Sequence, residues 1–280
     1  MPRACSKRAR CRYVFKGDVM SDTVLLAIQD QIATITLNRP KVFNAMNQDM
    51  GAALREAAQR VLEDDGVRAV LLRGAGAAFM AGGDVAMFHA HRGKLPPLIL
   101  RMVREFNYAI IAFRRMRKPL VTSVQGAVAG AGISLVALSD LTIAADNTQF
   151  TMAYSRIATT PDGGGSLFLP QILGYKKAME IMLLSDACDA HTAQQLGLVN
   201  WVVPLAELER RTAALMQRLA SGPTFAYAQT KALVNRAFDP HFEAHLEAEA
   251  QSFAACAATS DLAEGVAAFV EKRKAVFTGK

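Results

Sequence analysis

From Thr23 to Asn38, β-favouring residues form two runs around the polar Gln29-Asp30-Gln31, the pattern of a hairpin. Asn38-Arg39-Pro40 ends the second run, because proline cannot donate to a strand ladder. Over Met46–Asp64, apolar residues recur at helical spacing (Met50, Leu54, Ala57, Ala58, Val61, Leu62), and Asp64-Asp65-Gly66 closes the helix. Val67–Leu72 and Pro119–Val124 are short apolar runs that read as buried strands, the second leading into a glycine-bearing helix over Gly126–Leu138. Leu141–Ala145 and Gln149–Met152 read as two further strands. This alternation predicts an α/β architecture with much of its sheet buried. Beyond about Gln171 the pattern is almost wholly helical. Ala178, Ile181 and Met182 mark one face, and helical character runs through Leu205–Leu219, Thr224–Phe238, His241–Ala258 and Asp261–Val276. No fixed-period repeat interrupts this plan.

Composition adjusts the picture in two places. The net charge of +7 points first to an anionic partner such as nucleic acid. Residues 1–19, however, hold six basic residues against Asp18, while the rest of the chain holds 26 basic and 24 acidic. That segment has no apolar stretch of a secretory signal. Three accounts fit it: an in-frame extension ahead of a true start at Met20, an Arg-rich transit peptide, or a basic arm. The second basic concentration is Arg92–Lys118, with eight cations against Glu105 and an apolar stripe of Leu98, Met102, Phe106, Ile110 and Phe113. It reads as a packed helix with its charges outside. The longest apolar run, Ala127–Leu138, is shorter than the roughly 20 residues a membrane-spanning helix needs. Cys5, Cys11, Cys188 and Cys256 form no metal or disulfide pattern, which fits a reducing cytosol. His89, His91, His191, His241 and His245 lack metal-site spacing and read as surface residues, and Trp201 reads as core.

Three glycine-rich segments carry the candidate chemistry. Ala81-Gly82-Gly83-Asp84 follows a buried strand, and Gln125-Gly126-Ala127-Val128-Ala129-Gly130-Ala131-Gly132 follows another and opens a helix. Small residues let a ligand reach backbone N–H groups, and the first turn of a helix holds N–H groups without internal partners. Two such loops can aim converging donors at a developing oxyanion; glycines placed for close packing would look the same. The third segment is Pro161-Asp162-Gly163-Gly164-Gly165-Ser166. Asp162 there reads either as an Asx-turn or helix cap, or as a general base held on a glycine turn.

In this order the segments resemble the crotonase superfamily, the enoyl-CoA hydratase/isomerase family. Further matching pieces are Asn38-Arg39-Pro40 with Asn44-Ala45-Met46, Ser139-Asp140-Leu141, Leu196-Gly197-Leu198-Val199 before Val203-Pro204, and Glu264-Gly265 with Phe269-Val270-Glu271-Lys272-Arg273. The resemblance covers about residues 22–280. It implies a spiral of ββα units over 20–205, a helical trimerisation region over 206–280, and an acyl-CoA substrate that brings its own coenzyme A. It implies no separate cofactor and no metal, and it implies a homotrimer or a dimer of trimers. By the same resemblance the oxyanion donors are the amides of Gly83 and Ala131, where alanine replaces a more usual glycine without removing the backbone donor. Ala81 and Asp84 belong to the first loop, Lys41 and Val42 match the coenzyme A path, and Phe269 and Lys272 match the pair that approaches its nucleotide end.

The departures from the family pattern direct the chemistry. Ser134 and Tyr154 stand where the family's hydratases carry two glutamates, so the two-glutamate route to hydration is not open. Asp162 falls where dienoyl-CoA isomerases and ring-opening, epoxyphenylacetyl-CoA-type isomerases carry their working aspartate. Aromatic-acyl dehalogenases place a nucleophilic aspartate there too, with a Trp at the position of Tyr154 and a His near Asn107; this chain has neither. The expectation is therefore an isomerase in which Asp162 moves a proton and Tyr154 either positions substrate or water or only fills space. Hydration by a single acid/base is the alternative within the family. RNA binding through the basic helix and a catalytically silent coenzyme A scaffold are alternatives of another class; nucleic acid is not the expected partner.

Overall fold

The computed structural model describes residues 22–238 and 241–276, so the readings of 1–19, Cys5, Cys11 and Met20 lie outside the described residues. β1 (Val24–Gln29) and β2 (Ile32–Leu37) form the expected antiparallel hairpin, turning on Asp30 and Gln31 at φ 50° and 65°. That mirror-type two-residue turn matches the twist of the strands it joins. α1 (Gln48–Glu63) starts at Asn47, whose side chain accepts the Met50 amide at 3.0 Å. β3 (Ala69–Gly74) runs parallel to β2. A short helix, α2 (Val85–Ala90), and the long α3 (Leu95–Arg115) come next, and α3 packs along α1. β4 (Leu120–Val124) continues the parallel sheet.

Gly126–Leu138 is not the single helix its sequence predicts. It is a strand, β5 (Ala127–Ala129), followed by a helix, α4 (Ala131–Leu138). Gly126 and Gly130 break it at both ends of the strand, with φ of 59° and 50°. The strand between them bonds across to the first glycine loop: Met80 donates to Ala127 O at 3.1 Å and Ala129 donates to Met80 O at 2.8 Å.

β6 (Leu141–Ala145) joins the main sheet, and β7 (Gln149–Thr151) pairs with β5. The region after Gln171 is mostly helical but not wholly so. α5 (Gly165–Leu173) and α6 (Tyr175–Leu184) give way to β8 (Cys188–Asp189), α7 (Ala190–Gln195) and β9 (Trp201–Val203). β9 pairs with β6 and makes the main sheet six-stranded, in the order β1-β2-β3-β4-β6-β9; β5-β7-β8 form a second, small sheet. Trp201 therefore lies on an edge strand, 38% exposed, rather than in the core. Edge position leaves one flank of β9 unpaired, and a three-residue strand cannot bury a side chain of that size on both sides.

α8 (Leu208–Ser221) covers one face of the sheet through Met216 and Ala220 against Ala69, Leu71 and Val121. The larger core lies on the other face, where α1, α3 and α4 meet the sheet. The chain ends in α9 (Thr224–Phe238), α10 (Phe242–Ala257) and α11 (Ser260–Glu271). α10 packs on α3 and α5, and α11 packs on α2. No single helix among the described residues is long and apolar enough to cross a membrane.

Candidate active site

The first two glycine segments press against each other. A Cβ at Gly82 would stand 3.3 Å from Ala129 O, and one at Gly130 would stand 3.3 Å from Gly82 Cα. Close packing thus explains Gly82 and Gly130. It does not explain the adjacent amides. A bridge between Met46 and Gly83 is made by Met46 N–H to Gly82 O at 2.7 Å and Asp84 N–H to Met46 O at 2.8 Å, which leaves the Gly83 amide outside the ladder. Ala131 is the first residue of α4, and the carbonyl one turn back, Ala127 O, already accepts Met80 N–H. The two amides of interest are therefore flanking residues of one glycine contact, and neither is used by its own element.

Asp162 settles between its two sequence readings. The N-cap of α5 is Gly164 with no side-chain cap, so Asp162 does not cap the helix. Its carboxylate instead accepts the Tyr154 hydroxyl at 2.5 Å. Its backbone carbonyl accepts Ser134 Oγ at 2.7 Å and Gly165 N–H at 3.0 Å. Ser134 and Tyr154 thus both hold Asp162, one by its carbonyl and the other by its carboxylate. Asp162 is 4% exposed, and burial pushes its carboxyl up to about 7; the Tyr154 hydrogen bond works against that rise and the charge of Glu249 adds to it. Burial also lifts the Tyr154 hydroxyl well above its ordinary value, and the negative charge of Asp162 lifts it further. At neutral pH Tyr154 keeps its proton and donates it to Asp162.

Aromatic rings tie these parts together. Tyr154 lies edge-on to Phe253 of α10 at 6.2 Å, and Phe253 lies edge-on to Phe88 of α2 at 6.3 Å. Phe88 in turn abuts Gly83, where a Cβ would meet its ring at 2.8 Å, and a Cβ at Gly130 would be 3.7 Å from the Tyr154 ring. Gly83, Ala131, Tyr154 and Asp162 are thus brought together around one apolar wall. Two hollows of about 560 and 510 Å³ lie elsewhere, one between the sheet and α8, the other beside α9, and Asp162 lines neither.

The remaining expected residues lie on neighbouring surfaces. Lys41 and Val42 sit on a 3-10 turn, Pro40–Val42, with Val42 42% exposed, and Ala81 N–H ties this turn's end to the first loop by donating to Phe43 O at 2.9 Å. The Asp84 carboxylate caps α2 through the Met87 amide at 3.1 Å and pairs with Arg39 at 3.0 Å. Phe269 is 61% exposed on α11, and Lys272 ends that helix at φ 55°. Among the described residues no cluster of three or more His, Cys, Asp or Glu is placed to hold a metal.

The sequence reading passed over one buried acid. Glu249 of α10, 5% exposed, accepts the Gly164 amide at 2.6 Å, the Ser166 amide at 2.9 Å and the Ser166 hydroxyl at 2.6 Å. His245, expected at the surface, is half-buried with Nε2 2.7 Å from Ser166 Oγ. A signal was present: Glu249 lies on the stripe Leu246, Ala250, Phe253, an apolar helical face on which a carboxylate is out of place.

A six-stranded, mostly parallel sheet, a second small sheet and two glycine loops pressed together define an α/β fold with backbone amides at its candidate site. Residues 27–280 match the enoyl-CoA hydratase/isomerase family model, and the chain belongs to that family, with its crotonase fold. It is 34% identical over 262 residues to the 1,2-epoxyphenylacetyl-CoA isomerase of Escherichia coli, across 93% of this chain and 100% of the relative. It is also 34% identical, over 258 residues, to a probable enoyl-CoA hydratase of Rhodobacter capsulatus, across 92% of this chain and 98% of the relative. The solved structure of an enoyl-CoA hydratase from Mycobacterium avium subsp. paratuberculosis superposes with a TM-score of 0.84 at 28% identity, covering 91% of this chain and 98% of the other.

Proposed function

We propose that this enzyme is an acyl-CoA isomerase that shifts a carbon–carbon double bond through an enolate. The thioester carbonyl accepts hydrogen bonds from the Gly83 and Ala131 amides, each donor of this kind being worth about 3–4 kcal/mol to a transition state. The Asp162 carboxylate takes the proton from the α-carbon of a 3-enoyl thioester. The electrons of that C–H bond form the dienolate, with its charge on the oxygen between the two amides. Asp162 then returns the proton to the γ-carbon, and the double bond ends conjugated with the carbonyl. No atom is gained or lost. The observation that carries this reading is the Asp162 carboxylate, buried against Tyr154 and with a proton affinity near neutrality, which suits both removal and return of a proton. Tyr154 orients that carboxylate.

Coenzyme A comes with the substrate along Lys41, Val42, Ala81 and Asp84. Phe269 and Lys272, exposed on α11, meet its nucleotide end in a homotrimer or a dimer of trimers. A reducing cytosol suits Cys188 and Cys256, which carry no disulfide. The test is Asp162→Asn. Conversion of 3-enoyl-CoA to its conjugated isomer, followed by ultraviolet absorbance, should fall by about 10²–10⁴-fold, with binding of coenzyme A intact; wild-type turnover would remove Asp162 from the mechanism. A second reading, hydration with Asp162 as the one acid/base, is favoured by the hydratase among the relatives. Heavy-oxygen water separates the two: label in a 3-hydroxyacyl product means hydration, and unlabelled conjugated product means isomerisation.

A further inference from the structure

α5 begins at Gly165 with no cap from its own segment, and its first amides are answered from 83 residues away. Both oxygens of the Glu249 carboxylate are taken up there, Oε2 by Gly164 and Oε1 by Ser166, whose hydroxyl also donates to Oε1. A carboxylate suits the positive end of a helix. Among the described residues no Lys or Arg pairs with Glu249; its only ion-pair partner is the His245 ring, at 3.5 Å. The cations of α3 that face α10 are engaged elsewhere on it, Arg104 with Glu247 and Arg115 with Glu243. The other titratable groups facing this region are Asp162 and Tyr154. Ser166 Oγ donates to Glu249, so the His245 ring has to donate to Ser166. The trio is not a nucleophile with its base.

The anchored amides are the second and fourth residues after Asp162, on a turn that passes through Gly163 and Gly164 at φ 62° and 82°. Ser134 and Gly165 hold the Asp162 carbonyl on this turn, and Glu249 holds the two amides that follow it. We propose that Glu249 is a positioning residue for Asp162: its buried carboxylate clamps the glycine turn from α10 and sets a fixed negative charge behind the reacting carboxylate. Without the clamp the Asp162 side chain loses its aim; without the charge it becomes a weaker base. This inference rests on the isomerase reading above.

The experiment measures kcat/KM for the double-bond shift against pH in the full-length wild type, Glu249→Gln, Glu249→Asp and Asp162→Asn. Glu249→Gln removes the charge at equal size, and its rising limb should move about one pH unit lower, with a reduced plateau. Glu249→Asp keeps the charge at shorter reach, so its limb should stay in place while its plateau falls at least several-fold. A lowered plateau with an unmoved limb in Glu249→Gln means a packing role and overturns the proposal. So does a wild-type plateau in Glu249→Asp, which also decides the matter if circular dichroism shows that Glu249→Gln does not fold. Full activity in Asp162→Asn would instead overturn the isomerase reading.

Discussion

At the scale of single residues, the pair Tyr154–Asp162 links activity to pH. The base is needed unprotonated, so kcat/KM should rise with pH through about 7, the value to which burial brings Asp162. The Tyr154 hydroxyl opposes that rise by donating to the carboxylate. In Tyr154→Phe the limb should therefore move to higher pH, and a limb at lower pH would contradict the hydrogen bond's assigned effect. Stability follows the same group with the opposite consequence. Asp162 holds its proton more tightly folded than unfolded, so the stabilisation is complete below about 3.8 and is lost as pH rises through about 7. The loss at alkaline pH is on the order of 4 kcal/mol. Asp162→Asn should melt above the wild type at about pH 8.5 and approach it toward about pH 4. Thermal melts across that range check it. The residue proposed as the base is one that folding would replace.

At the scale of elements, what could be read from the sequence depended on length. The β1–β2 hairpin and α1 were legible because alternation and 3.6-residue spacing persist over six or more positions. β8 and β9, two and three residues long, lie among helical stretches and did not register, whereas β7, equally short, was read because it follows β6 after a turn. β5 read as helix because Ala127, Val128 and Ala129 are small and apolar between glycines, and their partner strand is only recognisable in three dimensions. Asp162 was legible as a candidate because its turn is local. Glu249 showed only as a carboxylate out of place on an apolar stripe, and its role was hidden because its partners lie on a different helix. Asn44 belongs to the same non-local class. It is fully buried at φ 57°, and its amide donates to Ala75 O, Ala78 O and Phe79 O at 2.9–3.1 Å, holding the first glycine loop in place. The turn at Gly126 offers the sharpest test of element geometry. At φ 59° with Ala77 O only 2.0 Å from where a Cβ would be, Gly126→Ala has no conformation free of strain. It should lower unfolding free energy by more than about 2 kcal/mol, read from the denaturant midpoint.

At the scale of the whole molecule, charge and apolar surface separate. Part of the basic concentration of Arg92–Lys118 is engaged within the chain. Lys118 is buried and donates to Val61 O at 2.8 Å and Asp64 O at 2.7 Å, closing the end of α1, while Arg104 and Arg115 reach α10. Burial lowers the Lys118 proton affinity, so even its charge serves the interior. The exposed apolar surface is concentrated on other helices: Leu183 and Leu184 of α6 are 63% exposed, and Phe225 and Leu233 of α9 are 73% and 68% exposed. Apolar side chains of that size in contact with water favour association. Sedimentation analysis should give a species of three chains or a multiple of three, and a monomer at all concentrations would refute that assembly.

The clamp from α10 also dictates an order of events during synthesis. A ribosome releases the sheet, both glycine loops and the Asp162 turn long before residue 249 leaves the exit tunnel. Until then the amides of Gly164 and Ser166 have no carboxylate to bind, and Phe253 is not yet there to wall the site. A nascent chain of this enzyme carries Asp162 and both glycine loops before it carries the carboxylate that ties the Asp162 turn to α10.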